Sequence, residues 1–314
     1  MKTKLLFFAT IFLLFCFCAK AQQMIIDPKG DTFYIPQMLL SDSLFQAGDI
    51  KEALDAYRKD YVKDPAFVVC YNFACALAMD RQPDSAFKYL FEAIKYDTNV
   101  LPLTDPNLLV LRSDKRWKDF EDRVVTEVLA KFPNAISDLP LAEKLWEMMA
   151  LDQEYYYEIN IVEKKIGMNS PVELALWDMK EKINARNSDE LDSIVSVKGW
   201  PKISVVGHYA SVSAFLIVQH STTERQKKYL PAIKELCKEN EADWQDYALM
   251  YDRVQVSENK LQLYGSQVKY NEQTKQNEFF PIDDEKNVNK RRAEMNMQPI
   301  EVYAQQFGIN YVPK

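Results

Sequence analysis

The run over residues 206–221, VGHYASVSAFLIVQHS, is apolar on nearly every face of a helix. Such a helix has no side to turn to water, so other elements must cover it all round. Gly207, Ala210, Ser211 and Ala214 are small enough to let those neighbours come close. The chain must therefore build a helical domain around this segment. Seven glycines in 314 residues suit long helices, and 47% hydrophobic with 27% charged residues is a globular composition.

The first 21 residues read as a leader for export. Lys2 and Lys4 precede an apolar stretch over 5–18, and Ala19-Lys20-Ala21 offers a cleavage site before Gln22. At about 14 residues the stretch is short for a membrane span. Phe15 and Phe17, beside Cys16 and Cys18, stand where lipidation wants small residues. No later stretch is long and apolar enough to cross a bilayer. The expected mature protein is periplasmic or secreted. The 39 basic and 46 acidic residues give a net charge of −7, and losing Lys2, Lys4 and Lys20 leaves −10. That balance argues against a nucleic-acid partner. Cys70, Cys75 and Cys237 remain, an odd number with no disulfide framework, and read as small buried hydrophobes.

Two helix-turn-helix patterns follow a lead-in over 22–35. Gly48, Ala53, Tyr57 and Pro65 mark the first; Tyr71, Ala74, Cys75, Ala78, Ala86, Leu90 and Ala93 mark the second, with Gln82-Pro83 at the turn in place of glycine. These residues resemble a tetratricopeptide repeat over about 34–100, which implies paired helices and a protein or peptide partner. Two repeats rarely bury a continuous core. Leu108, Leu111, Trp117 and Phe120 suit a closing unit.

After Phe132-Pro133-Asn134 the pattern predicts a helix over 139–166 capped by Asp138, another from Pro171, and a third from Asp189 to Gly199-Trp200-Pro201. Pro231 should kink or restart a helix. Residues 261–270 and 279–282 read as the strands of a hairpin, and Asp283 or Asp284 as the cap of a last long helix. The fold expected is mainly α: a helical-hairpin repeat domain over 34–132, then a helical domain over 138–314 with one β-hairpin near 261–282. Asp152-Gln153, Gly199-Trp200-Pro201, Gln219-His220-Ser221, Asp252-Arg253, residues 262–267 (QLYGSQ) and Arg291-Arg292 together resemble a bacterial domain family of unknown function over about 139–307.

There is no G-x-S-x-G, no H-E-x-x-H, no G-x-x-x-x-G-K and no paired C-x-x-C. His208 and His220 lie twelve apart, about 18 Å on one helix, too far to share a metal. No metal site is implied, and no residue pattern names a cofactor. His220, at the end of the apolar helix, is either an acid-base group or a histidine bonded to backbone. Asp252 would orient it and Arg253 would hold an anion, or each forms a separate ion pair. Gln262, Tyr264 and Ser266 share one strand face and Gln267 the other, with Gly265 marking a bulge. Arg291 and Arg292 either complement the helix dipole or turn inward to an anion. Trp200 and Gln219 would complete a pocket, or simply pack. Two functions stay open: an exported interaction or ligand-binding protein, or a hydrolase-type enzyme using His220, Asp252 and Arg253.

Overall fold

The computed structural model describes residues 39–271 and 273–311, and the backbone strands of 22–26 and 32–36; the expected leader over 1–21 lies outside them. The described chain is mainly helical and divides into two compact units, one ending at Asn187 and one beginning at Ser188.

In the first unit, β1 (Gln22–Ile26) and β2 (Thr32–Pro36) pair antiparallel where the sequence suggests only a lead-in. Two helix pairs follow: α1 (Leu40–Gln46) with α2 (Ile50–Lys63), and α3 (Phe67–Met79) with α4 (Pro83–Ala93). The first helix, which the pattern extends over 36–47, spans only Leu40–Gln46. Gly48 turns the first pair at φ 79°, and a Cβ there would lie 2.8 Å from Ile161. Arg81 takes the equivalent left-handed turn at φ 58°. Ala53, Ala74, Ala86 and Ala93 are buried where the helices meet, and Tyr57 stacks on Phe73. Cys70, Cys75 and Cys237 are free and buried. Burial pushes the Cys70 thiol up to about 11 and the Cys237 thiol to about 12, so neither is a thiolate at neutral pH.

Helix α3 is buried from Val69 to Ala78. It packs on α2, on α4, and on a 3-10 turn over Pro106–Leu111. Asp105 ties that turn down by accepting the Tyr71 hydroxyl and the Asn107 N–H (2.7 Å). After α5 (Leu101–Thr104) and α6 (Arg116–Lys131), α7 (Leu139–Gln153) packs on α5 and the same turn; Asp138 caps it by accepting from the Leu141 N–H. The single helix expected over 139–166 breaks at Tyr155, whose φ is 72°, and α8 (Tyr156–Lys165) sets off anew. Tyr157 stacks on Phe45 and donates its hydroxyl to the Phe45 carbonyl at 2.7 Å, bringing α8 back to the α1–α2 turn.

The two helices expected from Pro171 and Asp189 are one, α9 (Pro171–Lys198). Asn187, just before the expected start at Asp189, donates its side chain to the Met148 carbonyl at 3.0 Å, so it does not compete with the helix.

In the second unit α9 ends at Gly199, φ 78°. The short α10 (Ile203–Val206) stops at Gly207, and α11 (His208–Gln219) is the segment that must be covered: it is buried from Ser213 to Gln219. It packs on α12 (Thr223–Lys238) and α13 (Trp244–Ser257). Pro231 sits inside α12 without ending it. The hairpin is β3 (Val268–Asn271) with β4 (Gln276–Phe279), shifted from the expected strands; residues 262–267 are a loop. The long helix expected after Asp283-Asp284 is a 3-10 turn (Glu285–Asn287) and the short α14 (Val288–Glu294), and a short closing helix, α15 (Ile300–Gln305), opens after Pro299 as its proline suggests. No described helix is long and apolar enough to cross a membrane.

Candidate functional site

Asp252 and Arg253 follow each other on α13 and serve different ends. Asp252 is fully buried, and its carboxylate accepts from the N–H groups of Leu263 (2.7 Å), Tyr264 (3.1 Å) and Ser266 (3.0 Å). Burial raises the pKa of this carboxyl, and those amides pull the other way. The carboxylate therefore fixes the backbone of the loop over 262–267 from one side.

The arginines fix it from the other. Arg292, 1% exposed, donates to the carbonyls of Tyr264 (2.8 Å) and Gln298 (2.7 Å) and lies over the Tyr303 ring. Burial lowers its pKa to about 10, so it stays charged at neutral pH. Arg291 donates to the Leu263 carbonyl at 2.8 Å and to the Asp284 carbonyl at 3.1 Å. Gln262 donates to the Gln267 and Phe280 carbonyls and accepts from the Gln267 N–H. Gln267 donates to Ser266 Oγ at 3.0 Å. Gly265 stands at φ 65°, and a Cβ there would lie 2.5 Å from Ile300. The side chains expected on a strand face bond loop backbone, and backbone hydrogen bonds tie the segment to residues 280–283 only at its ends, through Gln262 and Gln267; Tyr264 itself packs edge-on against Tyr251.

The second cluster is the C-terminal pole of α11. The last carbonyls of a helix lack intrahelical partners. Here the Gln219 carbonyl accepts from Arg253 Nη1 at 2.8 Å and from Gln226 Nε2 at 2.9 Å. Gln226 Nε2 also reaches the Ser221 carbonyl at 3.2 Å. A cation at this end also suits the helix dipole. Gln219 and Gln226 are each 3% exposed. Their side-chain oxygens, both Oε1, are buried and accept no hydrogen bond. His220 caps the helix and is half-exposed, as is Ser221 beside it.

Trp200 packs on α12. It is half-buried, its ring lies 5.5 Å from that of Tyr229, and its buried Nε1 donates to nothing. Tyr229 follows Gln226 by three residues on α12, one turn along the same face. Its hydroxyl donates to Asp192, which also pairs with Arg225 (2.9 Å) and Lys228 (2.8 Å).

The residues singled out by sequence thus fall into two groups. Asp252, Gln262, Tyr264, Gln267, Arg291 and Arg292 converge on the loop. Gln219 and Arg253 converge on the α11 pole, with His220 next in the chain, while Trp200 packs on Tyr229 of α12. His208 opens α11, exposed, 3.5 Å from Asp243. Asp152 and Gln153 belong to the first unit, where Gln153 Nε2 donates to Asp152 at 2.7 Å.

Gln226 and Lys180 are among the polar residues that escaped sequence reasoning. Gln226 lies in a charged stretch that reads as a solvated face; the signal for it is its three-residue spacing to Tyr229. Lys180 is fully buried, lies 4.1 Å from the Tyr156 ring centre, and donates to the Asp152 carbonyl and to Asn184 Oδ1. Burial lowers its pKa, and nothing in KEKINAR marks it out. Among the described residues no three His, Cys, Asp or Glu side chains gather as a metal site.

No curated protein matches the chain, and no solved structure does. A family model matches residues 140–313, more than half of the chain and every residue of both clusters. The chain belongs to the family of unknown function DUF6624.

Proposed function

We propose that this is an exported ligand-binding protein whose site is the C-terminal pole of α11. One observation carries the reading: the Oε1 atoms of Gln219 and Gln226 are buried without a hydrogen bond while the backbone around them is bonded. Leaving a buried acceptor unmet costs about 1–3 kcal/mol, and such atoms in native proteins call for an explanation. A ligand donor is that explanation here, because His220 and Ser221 at the rim are half-exposed. Arg253 and Gln226 hold the pole in shape.

The leader over 1–21 supports export; cell fractionation and N-terminal sequencing at Gln22 test it. The two helix pairs over 40–93 support a tetratricopeptide-like region. Helix α3 is covered by Pro106–Leu111 as well as by α2 and α4, so the small-molecule pole is favoured over a peptide groove in the second pair. A hydrolase built on His220 gains little support, because the Asp252 oxygens meant to orient it bond the loop amides.

The test is a fragment screen read by the side-chain amide resonance of Gln219, assigned with Gln219→Met. Ligands that stabilise the protein should shift that resonance. Stabilising ligands that leave it in place would place the site elsewhere.

A further inference from the structure

The turn between α8 and α9 is organised by one buried carboxylate. Ser170-Pro171-Val172-Glu173 has the Ser-x-x-Glu form of a helix start. The Glu173 N–H reaches Ser170 Oγ at 3.3 Å, and the Glu173 side chain turns back to accept the Asn169 N–H. Its other oxygen accepts from Trp177 Nε1 at 3.1 Å. Glu173 is 4% exposed. From the last turn of α8, Glu163 hydrogen-bonds the same carboxylate with its own carboxyl. An ionised carboxyl is acceptor-only, so two of them bond each other only while one keeps its proton. Glu173 already takes two N–H donors and is the acceptor; Glu163 is the donor.

We propose that this turn is a proton-dependent latch, closed while Glu163 donates to Glu173 and loosened once that proton is lost. The charges nearby do not replace the proton. On α9, Lys180 is turned to the Asp152 carbonyl and the Tyr156 ring. On α8, Lys164 is exposed, and Lys165 pairs with Asp49 of the α1–α2 turn at 3.0 Å. Among the described residues Glu173 is the charged group that bears on the Glu163 carboxyl. Burial, and then the Glu173 charge, raise the Glu163 pKa.

The direction of the switch follows. A carboxyl whose folded pKa lies above its unfolded value of about 4.3 gives stability that is complete below that value. That stability is lost as pH rises through the folded pKa. The latch is therefore closed in acid and loosens as pH rises, when two carboxylates face each other across the turn. Near the start of α8, Tyr157 stays bonded to the Phe45 carbonyl, so the loosening is local.

The experiment follows three signals of the purified protein between about pH 4 and pH 8. They are the Glu163 carboxyl carbon, the Trp177 indole N–H (assigned with Trp177→Phe), and the exchange protection of the Asn169 amide corrected for its intrinsic rate. The carboxyl carbon and the indole should titrate with one midpoint above about 4.3. Asn169 protection should fall about tenfold across that midpoint. Glu163→Gln keeps a donor for Glu173 and has no proton to lose, so its indole and its Asn169 protection should stay at the wild-type acid values throughout. An indole that does not titrate, that titrates apart from Glu163, or that titrates equally in Glu163→Gln overturns the latch. So does a common titration with constant Asn169 protection, because the pair then ionises without releasing the turn.

Discussion

Two polar clusters lie in the same compact unit, built from neighbouring residues of one helix, and they differ in what they leave unmet. Asp252 faces the loop over 262–267, where a carboxylate takes the amides and two arginines take the carbonyls. Arg253 faces the end of α11, where the backbone carbonyl is doubly held but two glutamine oxygens accept nothing. Buried polar residues are thus of two kinds. The first kind replaces a missing sheet or helix partner, and its removal should unravel structure. The second leaves capacity over, and its removal should cost the fold little.

The largest effect expected is for Asp252→Ala. Several buried amides would lose their acceptor and Arg291 and Arg292 would face an unanchored loop, so denaturant unfolding should show a loss of about 3–5 kcal/mol. A loss below about 1 kcal/mol would dissolve the distinction between the clusters. Next is Gly265→Ala, which meets both a left-handed backbone and the Ile300 side chain; a loss of about 2–3 kcal/mol is expected from the same measurement.

A smaller effect sharpens the comparison by pH. At Asp192 burial works to raise the pKa, but the bonds from Lys228, Tyr229 and Arg225 outweigh it and hold the carboxyl near about 2. Its folded value lies below the unfolded one of about 3.9. The stability it contributes is therefore complete above about pH 4 and lost as pH falls toward 2. Asp192→Asn should flatten that part of the stability–pH curve, and an unchanged curve would refute the assignment. Solvent screening keeps the effect modest. The smallest change is for Gln219→Met: the unfolding midpoint should hold or rise slightly, within about 0.5 kcal/mol. A drop of 2 kcal/mol would put Gln219 with the first kind.

Much of the helical architecture was legible because the code for it is short-range. Ala53, Tyr57, Ala74 and Ala86 recur at helical spacing and are buried as that spacing requires. Gly48, Gly199 and Gly207 end or turn helices where their φ is positive. Tyr155 was not legible, because its left-handed turn involves neither glycine nor proline and is set by where α8 must pack. Asp189 reads as a helix start, yet the neighbouring Asn187 finds a tertiary acceptor and the helix runs on. The alternation over 261–267 misleads for a related reason. Polar heads at every second position suit a strand, and they equally suit a loop that bonds its own backbone. At the site, residue types were readable and destinations were not. Gln219, Arg253 and Asp252 stood out as polar residues in apolar runs, but which carbonyl or amide each one reaches depends on folding.

The return of α8 to the α1–α2 turn bears on how such chains are assembled in evolution. The family segment begins at residue 140, yet Ile161 lies against Gly48 and Tyr157 bonds Phe45, both outside it. Residues 140–187 are thus not a portable module. A relative that lacks the N-terminal helix pairs must supply another cover for Ile161 and another acceptor for Tyr157, so substitutions at these two positions should track the presence or loss of the preceding helices.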